Sequence, residues 1–286
     1  MYLLKETFLV VYASRYIQAN MTLFQETANK LYAMYTIYIM QRLSPQLKVR
    51  VRDFMERFLD VWELKYFSQF GEDAFLHRYF EGKSGGPVSQ GFYVDVGAYS
   101  PKQHSNTYLF YKLGWRGINI EATPGAIARF RRFRPRDISI EALVSDRESE
   151  VDFYWWDMPG ATNTPSPFMA AEGTRNLGRE PNISRIKSVP LAKLLDKHLP
   201  PNQLIDFMSV DVEGHDLEVL QSNNWERYRP EIVLVENLEV HAPAELTTLE
   251  MSRFMSSQRY VLYAWVRPNL VFRDTDADST EVRLNH

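Results

Sequence analysis

The stretch that most constrains the fold is Gly91-Phe-Tyr-Val-Asp95-Val-Gly97-Ala98, followed by Gly117-Ile-Asn-Ile-Glu121. Each is a short apolar run of the kind that forms a strand buried on both faces. The first ends in an acid and a small-residue turn, the second in a carboxylate, and a helix-length segment separates them. In doubly wound sheets a ligand lies beyond the carboxyl ends of the strands, and an acid about 20 residues past the first turn takes the ribose hydroxyls. Glu121 stands at a comparable distance after Asp95. The two strand ends therefore outline a pocket for the nucleoside end of a cofactor. The first turn, Asp95-Val-Gly97-Ala98-Tyr99-Ser100, lacks the G-x-G-x-x-G by which pyrophosphate approaches a helix N-terminus, which disfavours NAD.

Composition removes several chemistries. The 286 residues suffice for one large or two small domains, and 45% hydrophobic with 24% charged residues is ordinary for a chain with a core. A net charge of −3 is no nucleic-acid footprint. The one basic cluster, Arg129-Phe-Arg-Arg-Phe-Arg-Pro-Arg136, reads as the solvated face of a helix end. The absence of cysteine excludes disulfides, zinc–thiolate sites and thiol nucleophiles. The run Phe8–Ala13 is too short to span a bilayer, and Glu6 argues against a signal leader, so no transmembrane segment and a cytoplasmic location are expected.

Residues 1–66 contain no glycine and one proline. Phe24, Thr27, Leu31, Met34, Tyr35 and Tyr38, and then Val51, Phe54, Phe58 and Trp62, recur at helical spacing. They predict a helical segment that packs on the main domain or, as a homo-oligomer contact, on a second copy of the chain. From 67 to 286 strands and helices alternate, which predicts an α/β domain with a mostly parallel sheet. Strands are expected at 92–96, 117–121, 138–144, 151–155, 204–210 and 231–235, with a closing hairpin of 260–266 and 270–273. Helices are expected at 75–80, 104–113, 124–133, 191–198, 215–220 and 244–255. Residues 157–184 show little periodicity and read as a lid. The triplet Gly82-Lys83-Ser84 lacks the upstream glycine and strand of a phosphate loop.

Strand 204–210 runs into Asp211-Val-Glu213-Gly214-His215, and strand 231–235 into Glu236-Asn237. Neighbouring parallel strands would put Asp211, Glu236 and Asn237 on one rim beside Asp95. Crowded carboxylates need a proton, a cationic side chain or a metal, and an oxygen-only set favours Mg²⁺. Without a metal, Asp211 would cap the next helix and Glu236 would pair with an arginine.

With these pieces in order, the chain resembles the FkbM family of S-adenosylmethionine-dependent methyltransferases. The matching residues are Ser68-Gln69-Phe-Gly71-Glu72-Asp73, Tyr93-Val-Asp95-Val-Gly97-Ala98, His104-Ser105-Asn106-Thr107-Tyr108, Gly114-Trp115-Arg116-Gly117 to Glu121, Ala142-Leu-Val-Ser145-Asp146, Asp211-Val-Glu213-Gly214 with Glu218-Val-Leu220, and Trp225 to Glu236. Order and spacing agree over about 67–237. The resemblance implies a class I methyltransferase (Rossmann-like) fold: a seven-stranded sheet, helices on both faces and a reversed final hairpin. It implies that Gly97 lets the backbone approach the methionine end of S-adenosylmethionine and that Asp95 sits near its amino group. By the same resemblance Glu121 takes the ribose hydroxyls, Ser145 and Asp146 lie by the adenine, and Gln69 and Asp73 close over the cofactor. Asn106 would touch cofactor or acceptor. Ala122-Thr123 stand where relatives often have Pro-Asn, so the local turn differs.

The implied reaction is displacement of the sulfonium methyl by a hydroxyl oxygen, which needs help to lose its proton. Asp211 and His215 are the nearest candidates for a base, and Asp211, Glu236 and Asn237 for a metal. The expected acceptor is a small molecule or glycan, most simply a sugar hydroxyl. A natural-product or lipid hydroxyl, and a silent scaffold assembled through residues 1–66, are the alternatives. Trp155 and Trp156 are expected to be half core, with one lining the acceptor site.

Overall fold

The structure is a computed structural model and describes residues 65–84, 90–157, 160, 162–238, 240 and 242–277. The chain divides into two units, Met1–Lys65 and Tyr66–His286. The helical stripes expected before residue 65 lie outside the described residues. No described helix is long and apolar enough to cross a membrane.

Seven strands form the main sheet: β1 (Phe92–Val96), β2 (Arg116–Glu121), β3 (Ile138–Glu141), β7 (Phe207–Val210), β8 (Ile232–Glu236), β9 (Tyr260–Val266) and β10 (Asn269–Asp274), in the order β3-β2-β1-β7-β8-β10-β9. The first five pair in parallel, and β10 runs antiparallel to both neighbours. This is a seven-stranded, mostly parallel α/β sheet of the class I methyltransferase type.

Buried strands explain the unbroken apolar runs: successive residues feed opposite layers. Val94, Val96, Met208, Val210, Val233 and Val235 pack with α5 (Leu191–His198), α6 (Asp216–Gln221) and α7 (Glu250–Ser257) through Leu191, Leu195, Val219, Leu220, Met251 and Met255. Tyr93, Phe207, Ile232 and Leu234 meet α1 (Glu72–Ser84) and α2 (Tyr108–Lys112) on the other face, through Leu76, Phe80, Leu109 and Phe110. Trp115 is buried in that second layer. A further helix, α3 (Ile127–Phe133), follows β2. The Gly82-Lys83-Ser84 triplet ends α1.

The expected strand 138–144 is two strands. Ala142 separates β3 from β4 (Leu143–Val144), and β4 pairs with β6 (Asn182–Val189) in a second sheet of order β4-β6-β5, where β5 is Glu150–Trp155. The segment 157–184 is not structureless either. It holds α4 (Pro167–Leu177), whose start is capped by the Ser166 hydroxyl accepting from the Met169 amide and whose end is closed by left-handed Gly178. That helix packs closely on Trp156, because a Cβ at Gly173 would stand 2.7 Å from the indole ring. The first three residues of strand β6 also fall inside this range.

The basic cluster needs a correction as well. Arg134 is fully buried at the end of α3, so the run is not one solvated face. Its guanidinium donates to Asp137, Ser105, Tyr93 and Thr107.

Candidate active site

The carboxyl ends of β1, β2 and β7 open onto one cavity of about 860 Å³, counted out to open solvent. Its wall includes Gln69, Asp95, Gly97, Asn106, Glu121 and Asp211. Register accounts for the grouping. Asp95 pairs with Asn119 on β2 and Ser209 on β7, so the strands end at the same height. Asn106 is held there by donating to the Ser209 hydroxyl at 3.0 Å.

Asp95 is 5% exposed and accepts from the Thr107 hydroxyl at 2.6 Å through Oδ2. Burial pushes its carboxyl up to about 6, against the pull of Arg134 and Thr107. Gly97 has φ +79, and a Cβ there would lie 1.7 Å from the Asp211 carbonyl oxygen. The bare backbone is thus required by the close approach of the β1 and β7 loops, in addition to any ligand. Glu121 accepts the Tyr99 amide on Oε2 and the Thr123 amide on Oε1, both at 2.8 Å. A carboxylate oxygen has two lone pairs, so each keeps one for a hydroxyl.

Beyond β7 the acids converge. Asp211, Glu213 and Glu236 each offer an oxygen, all within 4.8 Å of one another. Burial drives Glu236 up to about 10, reinforced by the negative charge of Asp211, Glu213 and Asp216. Burial likewise raises Glu213 to about 8 and Asp211 to about 6, the latter opposed by a hydrogen bond from Glu236. A protonated Glu236 donating to an ionised Asp211 accounts for both. Glu213 has φ +54, and the loop is shaped by Asp216, whose oxygens accept the amides of Val212 at 3.0 Å and Gly214 at 3.1 Å.

Other expected site residues fall elsewhere. Asp73 accepts from the Phe67 amide and the Ser68 hydroxyl, so it fastens the entry to α1 and is not in the cavity wall. Ala142, Leu143 and Val144 form the wall where Ser145 and Asp146 were expected, and the Ser145 hydroxyl donates to Asp146. Asn237 follows β8, its backbone amide donating to the Pro268 carbonyl, and Glu213 joins Asp211 and Glu236 in the acidic trio. His215 is the N-cap residue of α6, and its Nδ1 is buried without a partner among the described residues. It does not line the cavity. Neither do Trp155 and Trp156, which donate to the Ser184 hydroxyl and the Arg179 carbonyl.

The segment 157–184 supplies residues that spacing did not single out. Asn163 is buried and donates to the Thr123 hydroxyl beside Glu121. Thr164, also buried, donates to the Glu213 carbonyl at 2.7 Å. Gly160, Asn163 and Pro165 line the cavity, together with Phe153 of β5. A polar residue between two turn residues carries no periodic signal, so only the strand ends it bridges reveal it.

A model of the methyltransferase FkbM domain matches residues 95–262. The chain belongs to the FkbM methyltransferase family. The match begins at Asp95 and runs through the acidic trio into β9, so all of the cavity wall named here except Gln69 lies within the FkbM domain. Residues 68–73 lie before it. None of the curated proteins matches the chain. As an FkbM methyltransferase the protein is a transferase on a Rossmann-like sheet, and methyltransferases of this kind in general use S-adenosylmethionine.

Proposed function

We propose that this cavity binds S-adenosylmethionine and that the protein methylates a hydroxyl, most simply that of a sugar or glycan. The observation that carries the reading is that Asp95, Glu121 and Asp211 share one cavity wall at the carboxyl ends of three adjacent parallel strands. The donors fit the cofactor. Asp95 has an oxygen that accepts nothing from the described residues, suited to an ammonium group. Glu121 keeps one lone pair on each oxygen, suited to a ribose diol. The wall of Ala142, Leu143 and Val144 is apolar, suited to a purine face.

Bound S-adenosylmethionine would supply a methyl on a positive sulfur, which a hydroxyl oxygen displaces in line. The chain's own part is to orient both partners, exclude water and take a proton. Asp211 lines the cavity and is raised by burial toward neutrality, so it is the base of choice, with Glu213 beside it. His215, outside the wall, is left a structural part. Asn163 and Thr164 hold the lid across the cleft and keep water out.

The trio Asp211, Glu213 and Glu236 also fits a hard divalent cation such as Mg²⁺, which takes oxygen ligands. Such an ion would supply positive charge against which the acceptor hydroxyl loses its proton.

The test is calorimetry with S-adenosylhomocysteine, followed by labelled S-adenosylmethionine offered sugar, nucleotide-sugar, lipid and polyketide hydroxyls, with and without EDTA. Glu121→Ala is expected to weaken binding by about 100-fold or more, two hydrogen bonds to a charged group being worth roughly 1.5–3 kcal/mol each. Undiminished affinity would remove the ribose assignment. Label in a sugar would support the acceptor class, and full turnover in EDTA would remove the cation.

A further inference from the structure

We infer that Thr107 is a positioning residue for the amino-acid end of the cofactor, polarised by the buried Arg134. The inference rests on the proposed role of Asp95. Thr107 stands at the N-cap of α2, where a hydroxyl ordinarily accepts a backbone amide. Here it makes no cap bond; the neighbouring Ser105 hydroxyl accepts the amides of Thr107 and Tyr108 instead. The Thr107 hydroxyl is thereby free for Asp95.

The direction of its proton follows from its partners. Arginine has no acceptor, so Thr107 Oγ1 must accept from Arg134 at 2.9 Å. Its single proton then goes to the Asp95 carboxylate, Oδ2 at 2.6 Å, and the Ser105 hydroxyl, 3.2 Å away, donates to Thr107. The guanidinium is itself held. It donates to Asp137 at 2.8 Å and to the Tyr93 hydroxyl at 2.6 Å, and its carbon lies 5.2 Å from the Tyr93 ring centre. Asp137 is in turn saturated by Tyr93, Asn119 and the Gly117 amide. The relay is therefore anchored on β1, β2 and α3 at once.

Interposing a hydroxyl has a chemical consequence. A direct arginine–carboxylate fork would occupy both oxygens of Asp95. The relay instead occupies Oδ2 alone and leaves Oδ1 without a donor among the described residues, on a carboxylate that lines the cavity. That oxygen is the one placed to receive an ammonium. Thr107 thus selects for a ligand that carries an amino-acid tail.

The experiment compares S-adenosylhomocysteine with methylthioadenosine, which keeps the nucleoside and thioether and lacks the amino acid. Thr107→Val is expected to weaken S-adenosylhomocysteine about tenfold or more while methylthioadenosine stays within about threefold. Thr107→Ser restores the hydroxyl and is expected to stay within about threefold for both. Thermal unfolding checks that each variant is folded, and Arg134→Lys, which cannot reach four partners with one nitrogen, is expected to show the same selective loss. Equal losses for both ligands, or none for either, would overturn the inference. If the wild-type chain binds methylthioadenosine and S-adenosylhomocysteine equally well, Asp95 has no part in recognising the tail and the inference fails with it. If it binds neither, the cofactor reading itself has failed.

Discussion

Gly97 is the residue where fold and site cannot be separated. Its φ of +79 and the Asp211 carbonyl that a Cβ would strike act together. Gly178 has a similar φ, +66, with nothing within 4 Å of a built Cβ. Gly178→Ala should therefore cost only the backbone strain, roughly 1–2 kcal/mol, whereas Gly97→Ala adds the steric displacement and should cost about 2 kcal/mol more. Urea unfolding of both variants measures the difference; equal losses would show that the two loops yield to each other. At this scale the sequence was informative where a residue ends a strand. Asp95, Glu121 and Asp211 were legible because two-sided burial makes the apolar runs before them stand out. Arg134 was not, because a buried cation beside Arg131 and Arg132 looks in one dimension like another surface charge. Glu213 was quoted only as part of a motif. Its place in the trio depends on the left-handed turn at Glu213-Gly214, which composition does not announce.

Among the elements, the parallel strands and the final hairpin were readable from the sequence, and the helix and strand within 157–184 were not. β6 carries Ile183, Ile186 and Val189 at a spacing nearer to a helix than a strand, because its sheet has only three strands and leaves much of it exposed. Strand propensity there yields to pairing with β5 over six residues. The helix α4 was hidden by the proline- and threonine-rich approach to it, although Ser166, Pro167 and Gly178 are ordinary start and stop signals. Asn163 bonds the Thr123 hydroxyl, the Asp157 carbonyl and the Trp156 amide. Asn163→Ala is expected to speed amide exchange in α4 about tenfold or more, since the lost bonds are worth about 1 kcal/mol or more each. Amides of β1 and β7 should keep their rates. If they accelerate equally, lid and sheet open as one unit.

Six acids among the described residues are shifted in one direction. Asp95, Asp206, Asp211, Glu213, Asp216 and Glu236 are all raised, with burial the leading cause in each. The folded chain therefore holds protons that the unfolded chain has released. Stability from these groups is full below the ordinary carboxylate range and is lost as pH rises through the raised values, from about 6 for Asp211 to about 10 for Glu236. Metal-free protein should accordingly melt at lower temperature at pH 9 than at pH 6, and Glu213→Gln should flatten the slope. Added Mg²⁺ at pH 8 should restore the melting temperature if the trio holds a cation; an unchanged melting curve would count against that site.

The single residue between β3 and β4 has a consequence of another kind. The chain leaves the large sheet at Ala142, and Val144 stands in register with Val189, where the chain returns. Everything from 145 to 187 is one excursion whose two ends adjoin. Such a loop can be lengthened, shortened or exchanged without shifting the register of any strand in the large sheet. The block that brings Phe153, Gly160, Asn163 and Pro165 to the cavity is thus a cassette, open to replacement as one piece while the ends of β1, β2 and β7 stay as they are.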